Sequence, residues 1–355
     1  MRHIRAVMLG VALIALVASC GGYLLVREIR TPAAESGAAI QIEITQGETT
    51  SQIASRLRSE GLIRQPLLFM LLARMQGFDN KLQAGRYVLA PTMTISQIFI
   101  ALQNSRVEER QITIREGLRI EEVAAAVAAS GVVSAEDFLR LARNGAAFRN
   151  RSILFNSIPQ GATLEGYLFP DTYRIAATAT VTEIIGLMLD RFDAQYRTFE
   201  LEVRVPDVSV HQIVTMASIV QREAAREAEM PLIAAVFWNR LNPANAGETG
   251  GGKLQADPTV QYALGYSQSE RTWWRKDLTV QELLIASPYN TREQAGLPPG
   301  PISGPGLAAL RAAAQPDESA NYLYFVADCA KDGSHHFAAD FATFQTFEAQ
   351  WLACQ

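Results

Sequence analysis

Between His211 and Arg226, Ile213, Met216, Ile219 and Val220 recur at helical spacing and mark an apolar stripe. Glu223 follows Ile219 by four residues and Val220 by three, so it extends that stripe, while Gln221 points roughly the other way. Burial disfavours an ionised carboxyl and holds its proton to higher pH. A carboxyl in that state can act as a general acid, for instance toward a glycosidic oxygen. A second account is open at this point. Glu223 could lie just past the buried turn and pair with Arg222, Arg226 or Arg240, since perturbed carboxylates are structural as well as catalytic.

Asp257 is the other carboxylate of interest. It could serve as the second acid of a hydrolase, or cap a helix beginning Pro258-Thr259-Val260, where proline suits the first helical position. Gln255, Tyr262, Tyr289 and Asn290 are candidate sugar contacts, because amides hydrogen-bond hydroxyls and aromatic rings stack on sugar faces. No Cys/His spacing suggests a metal: the chain has four histidines, two of them adjacent at His335-His336, and three cysteines, Cys20, Cys329 and Cys354. No metal and no cofactor is expected. In an oxidising compartment Cys329 and Cys354 could pair or remain free thiols.

The elements that would position these residues follow from periodicity and caps. Ile44-Thr45-Gln46-Gly47 recurs as Ile114-Arg115-Glu116-Gly117, and at the same offset Ile53, Ala54, Leu57 and Gly61 match Val123, Ala124, Val127 and Gly131. Farther on, Phe69, Ala73, Tyr87 and Ile98 match Phe138, Ala142, Tyr173 and Ile184 in order. Two tandem copies of one strand–helix–helix–strand–helix module result, the second with an insertion near 144–165. Thr49-x-x-Gln52 and Thr94-x-x-Gln97 read as capping boxes. From about residue 205, helical patterns cover 209–226, 229–241, 258–263, 279–286 and 304–314; a strand covers 322–326 and a last helix about 340–352. Loops at 242–253 and 266–276 interrupt this part, the latter carrying Trp273-Trp274. The expected class is α+β, with a cytoplasmic stub and anchor at 1–30, a linker at 31–39, modules at 40–106 and 107–204, and a mainly helical catalytic domain with a small strand element at 205–355. The module pattern resembles LysM, a fold that binds N-acetylglucosamine polymers.

Ala6 to Val26 is an uncharged run of 21 residues flanked by Arg2, Arg5, Arg27 and Arg30. About 20 helical residues cross a bilayer core, so a single-pass anchor is expected. A cleaved signal peptide, or a lipidated Cys20 after Val17-Ala18-Ser19, is the rival reading. The net charge of −4 offers a polyanion nothing to bind, which argues against nucleic acid as a partner.

Several ordered stretches resemble the endolytic murein transglycosylase (YceG-like) family: Leu164-Glu-Gly-Tyr-Leu-Phe-Pro-Asp-Thr-Tyr173, Thr215-Met-Ala-Ser-Ile-Val-Gln-Arg-Glu223, Val236-Phe-Trp-Asn-Arg-Leu241, Leu254-Gln-Ala-Asp-Pro-Thr-Val-Gln-Tyr262, Ser287-Pro-Tyr-Asn-Thr291 and Gly296-Leu-Pro-Pro-Gly-Pro-Ile302. The resemblance implies a lytic enzyme of the cell inner membrane with its catalytic domain in the periplasm. It would cut nascent peptidoglycan between N-acetylmuramic acid and N-acetylglucosamine, leave 1,6-anhydro ends, and work beside peptidoglycan synthases. The family's catalytic glutamate falls on Glu223. Many members carry an acid two residues earlier, where this chain has Gln221, and the loop after Leu241 is longer and richer in glycine here. The alternative is a non-catalytic, membrane-anchored peptidoglycan-binding protein.

Overall fold

The computed structural model describes residues 27–45, 47–75, 77, 85–103 and 109–354. The Ala6–Val26 run and Cys20 lie outside the described residues. Among the described residues, no helix is long and apolar enough to cross a membrane. The chain forms two compact units, divided after Glu109, and mixes helices with small two-stranded sheets.

In the first unit, β1 (Ile40–Ile44) pairs antiparallel with β2 (Gly85–Leu89), in a register that sets Ile42 opposite Tyr87. Alternation turns Ile42, Ile44, Tyr87 and Leu89 inward and leaves Glu43 and Val88 outside. Two helices, α1 (Thr50–Ser59) and α2 (Pro66–Met75), connect the strands, and α3 (Ile95–Gln103) follows. Thr49 and Gln52 form the reciprocal capping box at the head of α1, and Thr94 and Gln97 do the same for α3. Phe69 stacks on Phe99 at 4.3 Å in the centre of the unit.

The second unit repeats this order: β3 (Glu109–Thr113), α4 (Ile120–Ala128), α5 (Ala135–Ala142), two 3₁₀ segments over 145–157, β4 (Thr172–Ala176) and α6 (Val181–Tyr196). The matched positions keep their roles. Ala54 and Ala124, Leu57 and Val127, Phe69 and Phe138, and Ala73 and Ala142 are all fully buried. The matched glycines Gly47 and Gly117 have φ of +85° and +74°, and Gly61 and Gly131 have +72° and +75°. Left-handed backbone at the same two turns explains why glycine recurs there.

The chain continues through α7 (Val210–Glu223), α8 (Met230–Leu241), α9 (Asp257–Leu264), the single turn α10 (Val280–Leu283), α11 (Leu307–Ala314), the hairpin β5 (Tyr324–Ala327) with β6 (His335–Ala338), and α12 (Phe341–Ala353). One core runs from Ile112 in β3 to Ala314 in α11. The second module copy and the helices after residue 205 therefore share their interior. Cys329 and Cys354 are joined by a disulfide, Cα to Cα 5.9 Å, which fixes the end of α12 to the hairpin.

Candidate active site

Helix α7 is the central element. Its expected single stripe is exceeded, because every residue from Ile213 to Val220 is buried. The side that would face solvent is covered by the segment 299–306. His211 accepts the Tyr167 hydroxyl on Nδ1 (2.9 Å) and donates from Nε2 to the Pro299 carbonyl (3.0 Å). That arrangement suits a neutral imidazole, and burial lowers its pKa in the same sense. Farther along, Ser218 Oγ accepts the Ile302 amide at 3.0 Å, and Gln221 Oε1 accepts the Gly306 amide at 2.9 Å. Gly166, at φ +81°, permits the approach: a Cβ there would meet Pro301 at 2.5 Å. Gln221, on the side away from Glu223, thus holds the head of α11.

Glu223 is the last residue of α7, since Ala224 turns out at ψ 120°. It is half-buried. Among the described residues its carboxyl makes no hydrogen bond and no ion pair. The three arginines that could have neutralised it are engaged elsewhere. Arg226 pairs with Asp332 at 3.5 Å. Arg240 donates to the Lys253 and Leu323 carbonyls and to Gln255 Oε1. Arg222 lies 3.8 Å from the ring centre of Trp274 and donates to the Gly117 carbonyl at 3.4 Å. The carboxyl pKa is pushed up to about 8, first by desolvation and then by the charge of Asp257, against the opposing charges of Arg292 and Arg222. The negative end of the helix dipole acts in the same raising direction.

The remaining sequence candidates separate. Asp257 opens α9, but the cap position belongs to Ala256 and no side chain caps it. Asp257 Oδ1 instead accepts Nε of Arg292 at 2.6 Å and forms an ion pair with its Nη2, also at 2.6 Å, so the capping expectation is corrected: the guanidinium is the stronger partner for a carboxylate. Gln255 is exposed, at φ +58°, with its amide oxygen on Arg240 at 2.6 Å. Tyr262 and Tyr289 pack ring to ring at 4.8 Å, both half-buried. Asn290 is fully buried and donates both amide hydrogens, to the Leu283 and Ile285 carbonyls. Its amide is used up in shaping the loop, which corrects its place among the sugar contacts.

Two functional-looking groups were not picked out from the sequence. Glu165 is 4% exposed, accepts the Ile120 amide on both oxygens at 3.0 and 3.1 Å, and faces the Tyr262 hydroxyl at 3.4 Å. Burial, chiefly, pushes its pKa up to about 8. Arg119, 5% exposed, lies over Tyr262 at 4.1 Å and Trp273 at 4.6 Å, while Glu122 accepts the Trp274 indole N–H at 3.0 Å. Signals for both existed: Glu165 is a carboxylate inside the largely apolar stretch 162–169, and Arg119 stands where the first copy has the cap Thr49.

Comparison with known proteins adds the following. The YceG-like family model matches residues 42–350. An endolytic murein transglycosylase of Bacillus subtilis is 33% identical over 306 residues, covering 82% of this chain and 80% of that one. An endolytic murein transglycosylase of Streptococcus pneumoniae is 29% identical over 350 residues, covering 92% of this chain, which spans 62% of the pneumococcal protein's length. The crystal structure of a yceG-like protein from Listeria monocytogenes matches with a TM-score of 0.57 and 30% identity, over 88% of this chain and 99% of that one.

Proposed function

Since the chain belongs to the YceG-like family, we propose that it is an endolytic murein transglycosylase that cleaves peptidoglycan glycan strands, with Glu223 as its acid and base. The observation that carries the reading is a carboxyl at the end of α7 that has no hydrogen-bond or ion-pair partner among the described residues, with desolvation pushing its pKa up to about 8. In the first half, Glu223 gives its proton to the glycosidic oxygen as the bond from C1 of N-acetylmuramic acid breaks, and the N-acetylglucosamine side leaves as an alcohol. In the second half, the resulting carboxylate takes the proton of the sugar's own 6-hydroxyl as that oxygen bonds to C1. The proton count closes on Glu223 and no water is consumed, so one carboxyl suffices where a hydrolase uses two. Tyr262, Tyr289 and Gln255 stand as sugar contacts.

Finer parts of the reading rest on sequence. The Ala6–Val26 run supports a single-pass inner-membrane anchor with the catalytic unit in the periplasm. The strand–helix–helix–strand order of 40–89 supports a LysM-like module that holds N-acetylglucosamine polymers. Peptidoglycan synthases are the fitting partners for an enzyme that ends nascent strands.

The test is Glu223→Gln on purified sacculi, read by mass spectrometry of the released fragments. An amide keeps the shape and removes the transferable proton. General acid catalysis is worth about 10²–10⁴ in rate, and here one group serves both halves. The expected result is a normally melting protein that forms no anhydro ends. Parent-level anhydro ends would refute the assignment, and reducing ends from the parent enzyme would make it a hydrolase with Asp257 as second carboxylate.

A further inference from the structure

The segments 254–259 and 290–292 are laced together more tightly than two surface turns require. The Gln255 amide donates to the Thr291 carbonyl at 3.0 Å, and the Ala256 amide to Thr291 Oγ1 at 3.1 Å. Thr259 and Thr291 join hydroxyl to hydroxyl at 2.8 Å, and Asn290 Oδ1 accepts the Arg292 amide at 3.0 Å. Thr259, Thr291 and Asn290 are at most 1% exposed. Gln255 is kept in the left-handed region by the buried Arg240, a conformation that a non-glycine residue tolerates only under constraint. What this lacing delivers is the Asp257–Arg292 ion pair. The pair itself is partly solvated, with side chains 49% and 34% exposed, and such pairs add little to stability. The construction is therefore better matched to a task at Glu223 than to holding the fold.

The charges facing Glu223 are few. Arg222, on its own helix, is drawn away by Trp274 and the Gly117 carbonyl and has Glu122 as a countercharge. The other two are Asp257, at the head of α9, which packs against α7, and Arg292, from the loop after α10. Among the described residues, the Arg292 guanidinium gives hydrogen bonds to Asp257 alone, and the rest of its five donors are uncommitted.

We propose that Asp257 and Arg292 are a positioning pair for Glu223: Asp257 keeps the proton on Glu223 until the glycosidic bond breaks, and Arg292 steadies the carboxylate that remains until the 6-hydroxyl returns a proton. This rests on Glu223 being the acid and base. An acid held neutral by burial alone would leave its conjugate carboxylate unsupported in a desolvated place. A guanidinium already aligned by Asp257 supplies that support without moving a chain segment.

The test is the pH profile of anhydro-end formation by the full-length enzyme on sacculi, for Asp257→Asn, Arg292→Gln and Arg292→Lys. Glu223 must be protonated to start, so the alkaline limb reports its proton affinity. Removing the negative charge with Asp257→Asn should move that limb to lower pH, and Arg292→Gln should move it to higher pH, each by about one unit, a tenfold change in proton affinity. Arg292→Lys keeps the charge and should leave the limb near the parent's, with a lower kcat and an unchanged KM, since lysine lacks the fork that aligns on Asp257. Limbs that stay in place, or move the same way in Asp257→Asn and Arg292→Gln, would overturn the pair while leaving Glu223 assigned. Should Asp257→Asn melt early, the Arg292→Lys and Arg292→Gln limbs decide alone, because they retain Asp257. A Glu223→Gln enzyme at parent rate would overturn both readings.

Discussion

The two module copies share strand order, core positions and turn glycines, and they part at the head of their first helix. In the first copy Thr49 caps α1, and its neighbours obey local rules. Thr45, Gly47, Glu48, Ser51, Gln52, Ser55 and Arg56 line a cleft of about 470 Å³. In the second copy Arg119 replaces the threonine and its side chain accepts no amide; Glu165, from 45 residues on, takes the Ile120 N–H instead. The surface that is a cleft in the first copy is occupied in the second. The Gly117 amide donates to the Gly304 carbonyl and the Gly304 amide to Leu118, at 2.8 Å each, while Glu122 and Arg119 hold the Trp273-Trp274 loop. One scaffold thus exists in a form with a full capping box and in a form that keeps only the Arg119 amide on Glu122, at 3.0 Å, and has given up the side-chain cap for contacts with the site.

The largest effect that separates the copies should come from Arg119→Ala. It removes the cation from Tyr262 and Trp273 and one of the two cationic partners of Glu121, 3.5 Å away, the other being Arg143 at 3.3 Å. Losing one side of a buried charge arrangement costs roughly 3 kcal/mol. The melting temperature should fall by several degrees, with an accompanying loss of anhydro-end formation as the Trp loop loosens. Arg119→Lys should rescue little, because an ammonium does not stack as a planar guanidinium does. An Arg119→Ala enzyme with parent melting and parent rate would reduce the two copies to equivalents.

Glu165→Gln probes the same substitution of cap for site contact, with a smaller effect. The folded-state pKa of Glu165 is raised from 4.5 to about 8. A carboxyl raised in this way contributes stability that is complete below its unfolded pKa and is lost as pH rises through about 8. The parent should therefore weaken between pH 5 and pH 9, with Glu223 adding to the same trend. The amide keeps an acceptor for Ile120 and cannot ionise. Glu165→Gln should melt with the parent at pH 5 and above it at pH 9. A variant less stable than the parent at pH 9 would mean that the ionised carboxylate is what the site wants.

How much of this could be read from the residues alone divides along the range of the interactions. Helix spacing, capping boxes and the repeat are local, and they located α7 and its terminal glutamate to within a few residues. The strand His335–Ala338 escaped because its partner lies across a turn. The Asp257–Arg292 and Glu165–Tyr262 meetings join segments 35 and 97 residues apart, which no periodicity reports. Asn290 was misjudged for a chemical reason: an amide suited to a sugar hydroxyl is equally suited to two backbone carbonyls, and sequence does not say which it meets.

The smallest effect should be Thr49→Ala. Thr49 Oγ1 accepts the Gln52 amide at 3.3 Å, and Gln52 Oε1 accepts the Thr49 amide at 2.8 Å. Replacing a capping threonine by alanine costs about 1 kcal/mol. That cost should fall on the first unit alone, because the two units are separately compact and additivity holds for sites without shared partners. Hydrogen exchange should quicken at the amides of α1 while those of α7 keep the parent's protection, and the rate of anhydro-end formation should stay at the parent's. Equal loss of protection in α1 and α7 would show that the units unfold together and that the first copy is not energetically separate. Placing arginine at 49 sharpens the contrast. Without a Glu165-like acceptor for the freed amides or an aromatic loop for its side chain, Thr49→Arg should cost at least as much as Thr49→Ala, whereas the same residue at 119 stabilises the second unit.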